Sequence, residues 1–414
     1  MHDPTVSTTP TGAVFAGVDW ASADHAVCIV DAVGTVLWRH TVSHSRAGLT
    51  RLTARLRELE VSRVGIERPD GPVVEALLAA GLRVAVVPPR QIKNLRSRYT
   101  RAGKDDRFDA YVLADAMRTD GHRFTDLTRD TAPTVGLRAL VRARQDLVEI
   151  RVGLVNQLRH TLELAFPGAV GLFFDLHSPI ARAFLRRFPT AAEAATLDEG
   201  AMAAWLATEG YCGRTPAAVF IDRLRTAPAG LTGPEATARR HVTLALLSSI
   251  DAIEDQAAEL GRRIKEALAL HPDAPIFTSL PRAGQIRAAT LLAEIGDARG
   301  RYPDAGTLAA AGGVCPFTDE SGKHRAVGFR YKVDTKLRRA LTDFADDSRH
   351  ANPWAADIYN RARARGMRHP QAVRVLARAW TLVIWRCWQE GMPYHPDRHR
   401  ALNRYLSQGA AAAA

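Results

Sequence analysis

The chain has 414 residues, with 56 Lys and Arg against 44 Asp and Glu, which gives a formal net charge of +12. Hydrophobic residues make up 46% and charged residues 24%, a balance that excludes wholesale disorder and predicts two or three globular domains. The cysteines are far apart, no apolar run is long enough to span a membrane, and no signal-peptide pattern opens the chain. We therefore expect a cytoplasmic protein with no membrane partner, and the positive charge favours a polyanionic one.

The first third of the chain predicts an RNase H-like α/β domain over residues 13–125, preceded by a disordered tail at residues 1–12. Three short apolar or alternating runs, AVFAGVDW, HAVCIVD and TVLWRHTV, are separated by turn residues and predict an antiparallel meander. Helices and strands then alternate, with helices over 46–60 and 71–80 and strands over 63–67 and 83–88. This element order is typical of an RNase H-like fold.

Two long amphipathic helices are predicted in the middle of the chain. Leucine recurs every seventh residue from Leu140 to Leu154, and a matching apolar stretch runs over 237–270. The spacing indicates an antiparallel coiled-coil hairpin over residues 133–270. Residues 167–234, rich in Pro, Gly and short helical pieces, are predicted to form an insertion in this hairpin.

A compact, mostly helical domain is predicted over residues 275–396, followed by a tail at residues 397–414. Its candidate core residues are four tryptophans, Trp354, Trp380, Trp385 and Trp388. Residues 279–297 have a helix, turn, helix character that fits a helix-hairpin-helix element and a plain αα-hairpin equally well. Arg282 stands in this turn where a glycine would be comfortable.

Four carboxylates are candidates for a single site. Asp19 ends the first apolar strand and Glu67 ends a later one. In an RNase H-like sheet these strands are neighbours, so both side chains would project from the same edge. Asp106 and Asp109 are three residues apart and share one face of a helix, with Asp105 as the alternative to Asp106.

Four converging carboxylates repel one another unless cations lie between them. Mg²⁺ is a hard cation that prefers such oxygen ligands together with phosphate oxygens, and one or two such ions can stabilise phosphoryl transfer. Any one of these acids alone would be better explained as a turn residue, an ion-pair partner or a helix cap. The set as a whole predicts a metal-dependent phosphodiester centre.

Ser321 is the serine of a loop-like segment over residues 309–341, and Gly322, Lys323, His324 and Arg325 follow it. Positive charge around a serine suits a nucleophile that approaches a phosphate. However, Ser-Gly is a common turn, so spacing alone indicates a structural serine.

Several motifs together resemble a known family. GVDWASADH, IERPDGPV, AGKDDRFDAYVLAD, LPRAGQIRAATLLAEIGD and ESGKHR occur in this order, as in the DEDD transposases of insertion sequences that act as bridge-RNA-guided recombinases. The resemblance covers residues 13–396 except the insertion. It implies a RuvC-like N-terminal domain, a C-terminal transposase domain, Mg²⁺ as cofactor, and these catalytic residues: Ser321 as nucleophile through a phosphoserine intermediate, and Asp19, Glu67, Asp106 and Asp109 as metal ligands.

The resemblance also implies the partners of the protein. These are donor and target DNA, a structured noncoding guide RNA that pairs with both, and further copies of the chain, as a dimer or tetramer that shares its sites in trans. Two departures from the family pattern occur. Asp105 replaces a small polar residue, and Glu320 stands where the family often has a second serine.

Basic residues near these motifs are predicted to contact nucleic acid, with a solvated helix face as the alternative for each: Arg96, Arg98, Arg101, Lys104, Arg144, Arg151, Lys323, Arg325, Lys332 and Lys336. For Arg144 and Arg151, which lie within the seven-residue apolar pattern, snorkelling is the other reading.

The residues alone are also compatible with other classes of function. The main alternative is a RuvC-like junction nuclease, in which metal-activated water attacks and Ser321 is a bystander. A sugar-kinase-like ATPase would need glycine-rich phosphate loops, which the sequence does not offer. The third alternative is a catalytically inactive protein that binds nucleic acid.

Overall fold

The computed structural model describes residues 12–69, 71–99, 105–321, 324–331 and 333–413. The chain divides into two compact units. The first unit comprises residues 1–130 and 298–303, and the second comprises residues 131–297 and 304–414. The predicted N-terminal tail lies, except for Gly12, outside the described residues.

The first unit is a five-stranded mixed sheet with helices. Its strands and helices, in chain order, are β1 (Val14–Asp19), β2 (Asp24–Val30), β3 (Val36–Ser43), α1 (Arg46–Glu58), β4 (Val61–Ile66), α2 (Pro72–Ala79), β5 (Val84–Val86), α3 (Pro89–Arg96) and α4 (Asp106–Asp120). The strand order is β3-β2-β1-β4-β5. Strands β1, β2 and β3 pair antiparallel, whereas β4 and β5 continue the sheet parallel to β1. The predicted meander and RNase H-like α/β fold are thus confirmed.

The central strands are apolar because both faces of the sheet are covered. Val18, Val27 and Val64 have no solvent exposure, as expected for strands that lie between helical layers. Helix α4 packs on β1 and β2, and Gly17 allows the closest approach. A Cβ at Gly17 would lie 2.1 Å from the carbonyl oxygen of Ala110, so only glycine fits between this strand and this helix.

Replacement of Gly17 by alanine is therefore expected to separate α4 from β1 and to lower the free energy of unfolding of the first unit by about 3 kcal/mol. Urea titration with hydrogen exchange of β1 peptides measures this loss. The matched control is Gly153→Ala in the second unit, because Gly153 is exposed in a long helix and a Cβ there meets nothing within 4 Å. That control should gain about 0.5–1 kcal/mol. An unchanged urea midpoint for Gly17→Ala would contradict the close packing.

A short segment from later in the chain, residues 298–303, completes the first unit and is here called the return segment. Asp130 is 4% exposed, and its carboxylate accepts hydrogen bonds from the backbone N–H of Ala298 (3.1 Å) and from the guanidinium of Arg301 (2.7 Å). Because these donors lie in residues 298–303, a buried acid ties this distant segment to the end of residues 1–130.

The second unit is helical apart from one β hairpin. Its elements, in chain order, are α5 (Ala132–Ala165), α6 (Pro179–Arg187), α7 (Ala191–Ala194), α8 (Glu199–Thr208), α9 (Ala217–Thr226), α10 (Gly233–Ala269), α11 (Ala274–Thr278), α12 (Gly284–Ile295), α13 (Ala305–Ala311), β6 (Phe317–Ser321), β7 (His324–Gly328), α14 (Thr335–Ser348), α15 (Pro353–Ala364), α16 (His369–Glu390) and α17 (Arg400–Ala413). No helix in the described part of the chain is long and apolar enough to cross a membrane.

The two longest helices, α5 and α10, pack against each other in antiparallel orientation. Arg144 Nε lies 3.5 Å from the position of a Cβ on Gly261, and Arg151 forms a 2.8 Å ion pair with Glu254. Seven residues forward along α5 thus correspond to seven residues back along α10. The predicted antiparallel helix pair is present, and its coiled-coil geometry stays a prediction.

Helices α6 to α9 form the predicted insertion and have a core of their own. Phe184, Met202 and Phe220 are fully buried there, and they belong to the same apolar cluster as Leu158 of α5 and Leu247 of α10. The insertion is therefore folded onto the long helices rather than a loose linker.

Two expectations for the C-terminal region are wrong. The predicted tail at residues 397–414 includes α17, which packs on α15 and buries Leu402. Trp385 is half-buried, whereas Trp354, Trp380 and Trp388 are in the core as predicted. A helix of 22 residues has a buried and an exposed face, and Trp385 lies at their border, between the buried Ile384 and the exposed Arg386.

Candidate active site

The carboxyl ends of β1 and β4 place two acids side by side. The strands are parallel neighbours, and Val18 of β1 pairs with Ile66 of β4. Asp19 and Glu67 follow these paired residues, so they lie at the same edge of the sheet, as the sequence predicted. Both are half-buried.

The first turn of α4 brings two more acids to this edge. Asp19, Asp106 and Asp109 each offer a carboxylate oxygen, and these oxygens lie within 4.8 Å of one another. Asp105 is the N-cap of α4, and its side chain accepts a 3.1 Å hydrogen bond from the backbone N–H of Arg107. Between the two alternatives, the structure therefore brings Asp106 into the cluster and uses Asp105 as a cap.

Within the described residues, Glu67 is not a member of this three-acid group. Its charge nevertheless reaches Asp19. Burial raises the pKa of the Asp19 carboxyl to about 6, with further contributions from the charges of Asp109, Asp106 and Glu67. The three other predicted acids therefore all interact electrostatically with Asp19. Two of them, Asp106 and Asp109, also belong to the three-acid group.

The buried member of the group is Asp109, which is 3% exposed. One of its carboxylate oxygens accepts a hydrogen bond from Arg96 of α3. The other, Oδ1, is buried and has no hydrogen-bond partner among the described residues, which is costly for a charged group unless something else binds there. A lone acceptor oxygen among repelling carboxylates fits a hard divalent cation such as Mg²⁺.

The fold fixes these acids through a network behind them. Tyr99, which follows α3, donates its hydroxyl hydrogen bond to Asp115 of α4. Arg98 pairs with Asp120 at 2.5 Å, and Arg118 pairs with Asp115 at 2.7 Å. The contacts of Tyr99 and Arg98 tie the residues that follow α3 to α4, close to the contact between Arg96 and Asp109, whereas the pair of Arg118 and Asp115 lies within α4. Nothing in the spacing of the sequence joins Tyr99 to Asp115, so this network could not be predicted from the sequence.

Ser321 lies in the second unit, at the end of β6. Its backbone pairs with that of His324 across a two-stranded antiparallel hairpin, whereas the sequence predicted a loop-like segment. The strands are only five residues long and largely polar, so their pattern carries no apolar alternation that would reveal them. Ser321 therefore ends the first strand of the hairpin, and residues 322–323 between the strands lie outside the described residues.

The basic residues predicted to contact nucleic acid occupy different environments. Arg96 forms an ion pair with Asp109, Arg98 with Asp120 and Arg151 with Glu254. The Nε atom of Arg144 is buried and has no hydrogen-bond partner among the described residues. Lys336 is exposed in α14. Four lie outside the described residues: Arg101, Lys104, Lys323 and Lys332. Arg325 lies in β7.

The turn between α11 and α12 confirms the strain expected at Arg282. This residue has a φ of +55°, a left-handed conformation that favours glycine. Arg282 and Arg287 both donate to Asp347 of α14, at 3.2 and 2.8 Å. These contacts tie the turn to α14.

The fold and the acid cluster define an RNase H-like protein with a carboxylate site suited to a divalent cation. Residues 16–167 match the family model described as a transposase, of the DEDD group of IS110, and residues 274–360 match the transposase IS116/IS110/IS902 family. The chain is 34% identical to the mini-circle putative transposase for IS117 of Streptomyces coelicolor, over 96% of this chain and 98% of that protein. It is 28% identical to the insertion element IS116 uncharacterized 44.8 kDa protein of Streptomyces clavuligerus, over 92% and 96% of the two chains. The chain belongs to the IS110 family of DNA transposases, as the resemblance of its motifs predicted.

One solved structure, T. thermophilus RuvC in complex with Holliday junction substrate, covers 28% of this chain and 99% of its own, at 18% identity and a TM-score of 0.22. The RNase H-like assignment therefore depends on the strand order of the first unit and not on this likeness.

Proposed function

We propose that this transposase cuts and rejoins DNA through a covalent bond to Ser321, with Asp19, Glu67, Asp106 and Asp109 as the ligands of one or two Mg²⁺ ions. The observation that carries the proposal is the convergence of three carboxylates on an edge where Asp109 Oδ1 is buried and meets no hydrogen-bond donor in the part of the chain that the structure describes. Burial and then the charges of neighbouring acids raise the pKa of Asp19 to about 6, which supports a site that is completed by a cation.

Each group has a defined part in this reaction. Ser321 Oγ loses its proton and attacks the phosphorus of a DNA phosphodiester, a P–O bond to one DNA end breaks, and that end takes up a proton and leaves as a hydroxyl, so that no net proton is consumed. The new phosphoserine retains the energy of the broken bond. A hydroxyl of the partner strand then attacks the phosphoserine and releases the serine. Mg²⁺ at the carboxylates would offset the negative charge that develops on the phosphate oxygens.

Nucleic acids and further copies of the chain complete the proposal. Donor and target DNA are the substrates, and a structured noncoding RNA pairs with both and guides the choice of site. The active assembly is a dimer or tetramer in which Ser321 and the carboxylates of different copies cooperate. The formal charge of +12 supports polyanionic partners.

The expected test result is loss of strand exchange when any one component is removed. Purified protein is combined with donor DNA, target DNA and the transcript encoded beside the gene, and recombinant junctions are counted. EDTA should abolish the junctions and excess Mg²⁺ should restore them, since carboxylate-bound Mg²⁺ exchanges readily. Nuclease digestion of the transcript before mixing should have the same effect as EDTA. Undiminished exchange in EDTA would contradict the metal assignment, and undiminished exchange without RNA would contradict guidance.

A further inference from the structure

Two arginines of the second unit share one aromatic ring beside the hairpin of Ser321. The Cζ atoms of Arg338 in α14 and Arg374 in α16 lie 4.4 and 4.5 Å from the ring centroid of Phe329, the residue that follows β7. Tyr331 meets the same ring edge to face at 4.8 Å and is 79% exposed. These four residues are here called the Phe329 cluster.

The Phe329 cluster holds like charges together. Among the described residues, the charge of Arg338 is the main one that acts on Arg374. Burial, and then the charge of Arg338, lower the pKa of the Arg374 guanidinium. A cation above an aromatic ring gains some attraction from it, but two partly desolvated cations still repel. A bound anion would remove this repulsion.

The guanidinium groups also keep unused donors. The Nε atoms of Arg338 and of the neighbouring Arg330 are buried and have no hydrogen-bond partner within the described residues, while Arg338 donates through Nη2 to the carbonyl of Arg330. The backbone leaves room for this arrangement at Gly313, where a Cβ would lie 2.5 Å from Arg338 Nη2 and φ is +60°. The cluster is therefore built by several elements and is not a chance meeting of surface side chains.

The position of the cluster suggests which anion it takes. Phe317 and Gly328 pair at the open end of the hairpin, and Phe329 follows directly. Ser321 lies four residues from Phe317 along β6, which corresponds to about 13 Å in a strand. A DNA strand advances about 3.4 Å per nucleotide along the helix axis, so this separation spans about four nucleotides. The exposed ring of Tyr331 offers a face on which an unpaired base can stack.

We propose that Arg338 and Arg374 bind a backbone phosphate of the DNA strand that Ser321 attacks, a few nucleotides from the scissile bond, and so position that strand. The inference rests on the proposed function of Ser321 and adds the substrate contact that holds the DNA there. Arg338 and Arg374 are positioning residues, because they act on the strand rather than on the reacting atoms.

The first measurement is DNA affinity as a function of salt, with full-length protein and a DNA duplex carrying the recombination site. Arg374→Gln should weaken binding about 10-fold and reduce the slope of log affinity against log salt by about 1, as expected for one lost phosphate contact. Arg374→Lys should recover part of the affinity. The matched control is Arg378→Gln, one turn further along α16, where the side chain is exposed; it should bind like the wild type.

The second measurement removes the charge from the DNA. Single methylphosphonate groups, which are neutral, replace each phosphate in turn around the cleavage position. The wild-type protein should lose affinity about 10-fold at one phosphate within about four nucleotides of the scissile bond, and Arg374→Gln should be insensitive to that same replacement. Equal losses for both proteins at every position would overturn the inference. A variant that loses affinity for the guide RNA while binding DNA normally would overturn it as well, because the cluster would then be an RNA site.

The two proposals fail in different ways. If the wild-type protein forms no covalent adduct, the role of Ser321 is wrong, but equilibrium binding needs no cleavage and still measures the phosphate contact. If the adduct forms normally and the methylphosphonate scan shows no position specific to Arg374, the cluster assignment alone is wrong.

Discussion

Replacement of Ser321 by alanine is expected to abolish strand exchange, with the rate reduced by a factor of about 10⁴ or more, since the variant lacks the oxygen that forms the covalent bond. DNA binding should stay within about twofold of the wild type, because one small hydroxyl at the end of a strand adds little to a contact made mainly with phosphates. The decisive measurement is a denaturation-resistant complex between protein and labelled DNA. In the wild type it should form and disappear on protease treatment, and in Ser321→Ala it should be absent.

The matched control for this prediction lies on the same strand. Thr318→Ala removes a hydroxyl from β6 three residues before Ser321 and leaves the proposed nucleophile in place. It should retain adduct formation. If Ser321→Ala cleaves DNA at the wild-type rate and neither protein forms an adduct, the reaction is hydrolysis by water, as in the junction-nuclease alternative.

Replacement of Asp19 by asparagine is expected to have two opposite effects. Strand exchange should fall about 10³-fold or more, because the amide is a poor ligand for Mg²⁺ and adds no negative charge. In EDTA at pH 7.5, by contrast, the variant should be more stable than the wild type. Its amide does not repel Asp109, Asp106 and Glu67, whose charges help to raise the pKa of Asp19.

The pH dependence of this gain follows from the pKa of about 6 for Asp19, compared with its ordinary value of 3.8. Because the folded state holds this proton more tightly than the unfolded chain, stability falls as the pH rises from about 4 through 6. The full difference would be about 3 kcal/mol, which screening at a half-buried side chain reduces to about 1–2 kcal/mol. Urea unfolding in EDTA should show that gain at pH 7.5 and little of it at pH 4.

A surface acid provides the control for Asp19. Asp24 is exposed at the start of β2, and Asp24→Asn should change neither strand exchange nor stability. Addition of Mg²⁺ should stabilise the wild type and have little effect on Asp19→Asn, because binding to the folded state alone raises stability. If Asp19→Asn is less stable than the wild type in EDTA at pH 7.5, the carboxylates support the fold directly and do not form a cation site.

The parts of the candidate site that follow from strand ends could be predicted from the sequence. Asp19 and Glu67 each follow an apolar run, and neighbouring parallel strands bring such residues to one edge. The spacing of Asp106 and Asp109 gave a shared helix face, although Asp105 and Asp106 could not be separated. That choice depends on which residue begins the helix, and the boundary is set by the hydrogen bond from Arg107 to Asp105.

Other features depend on contacts between residues that are distant in the chain. The Phe329 cluster joins residues of α14 and α16 through a ring that follows β7, and no periodic pattern connects them. The hairpin of Ser321 is too short and too polar to resemble a strand pair. The helix α17 was predicted as a tail because an alanine-rich end resembles low-complexity sequence, although alanine is also the strongest helix former.

The return segment at residues 298–303 affects how this protein can be divided or recombined with its relatives. A fragment that ends at Asp130 would carry a carboxylate whose two donors are encoded 168 and 171 positions later, and it would lose both hydrogen bonds. Exchange of the N-terminal half between family members would likewise pair that acid with a foreign segment. The gene of this transposase is therefore not a simple fusion of two separable modules, and a functional chimera must transfer both pieces of the first unit together.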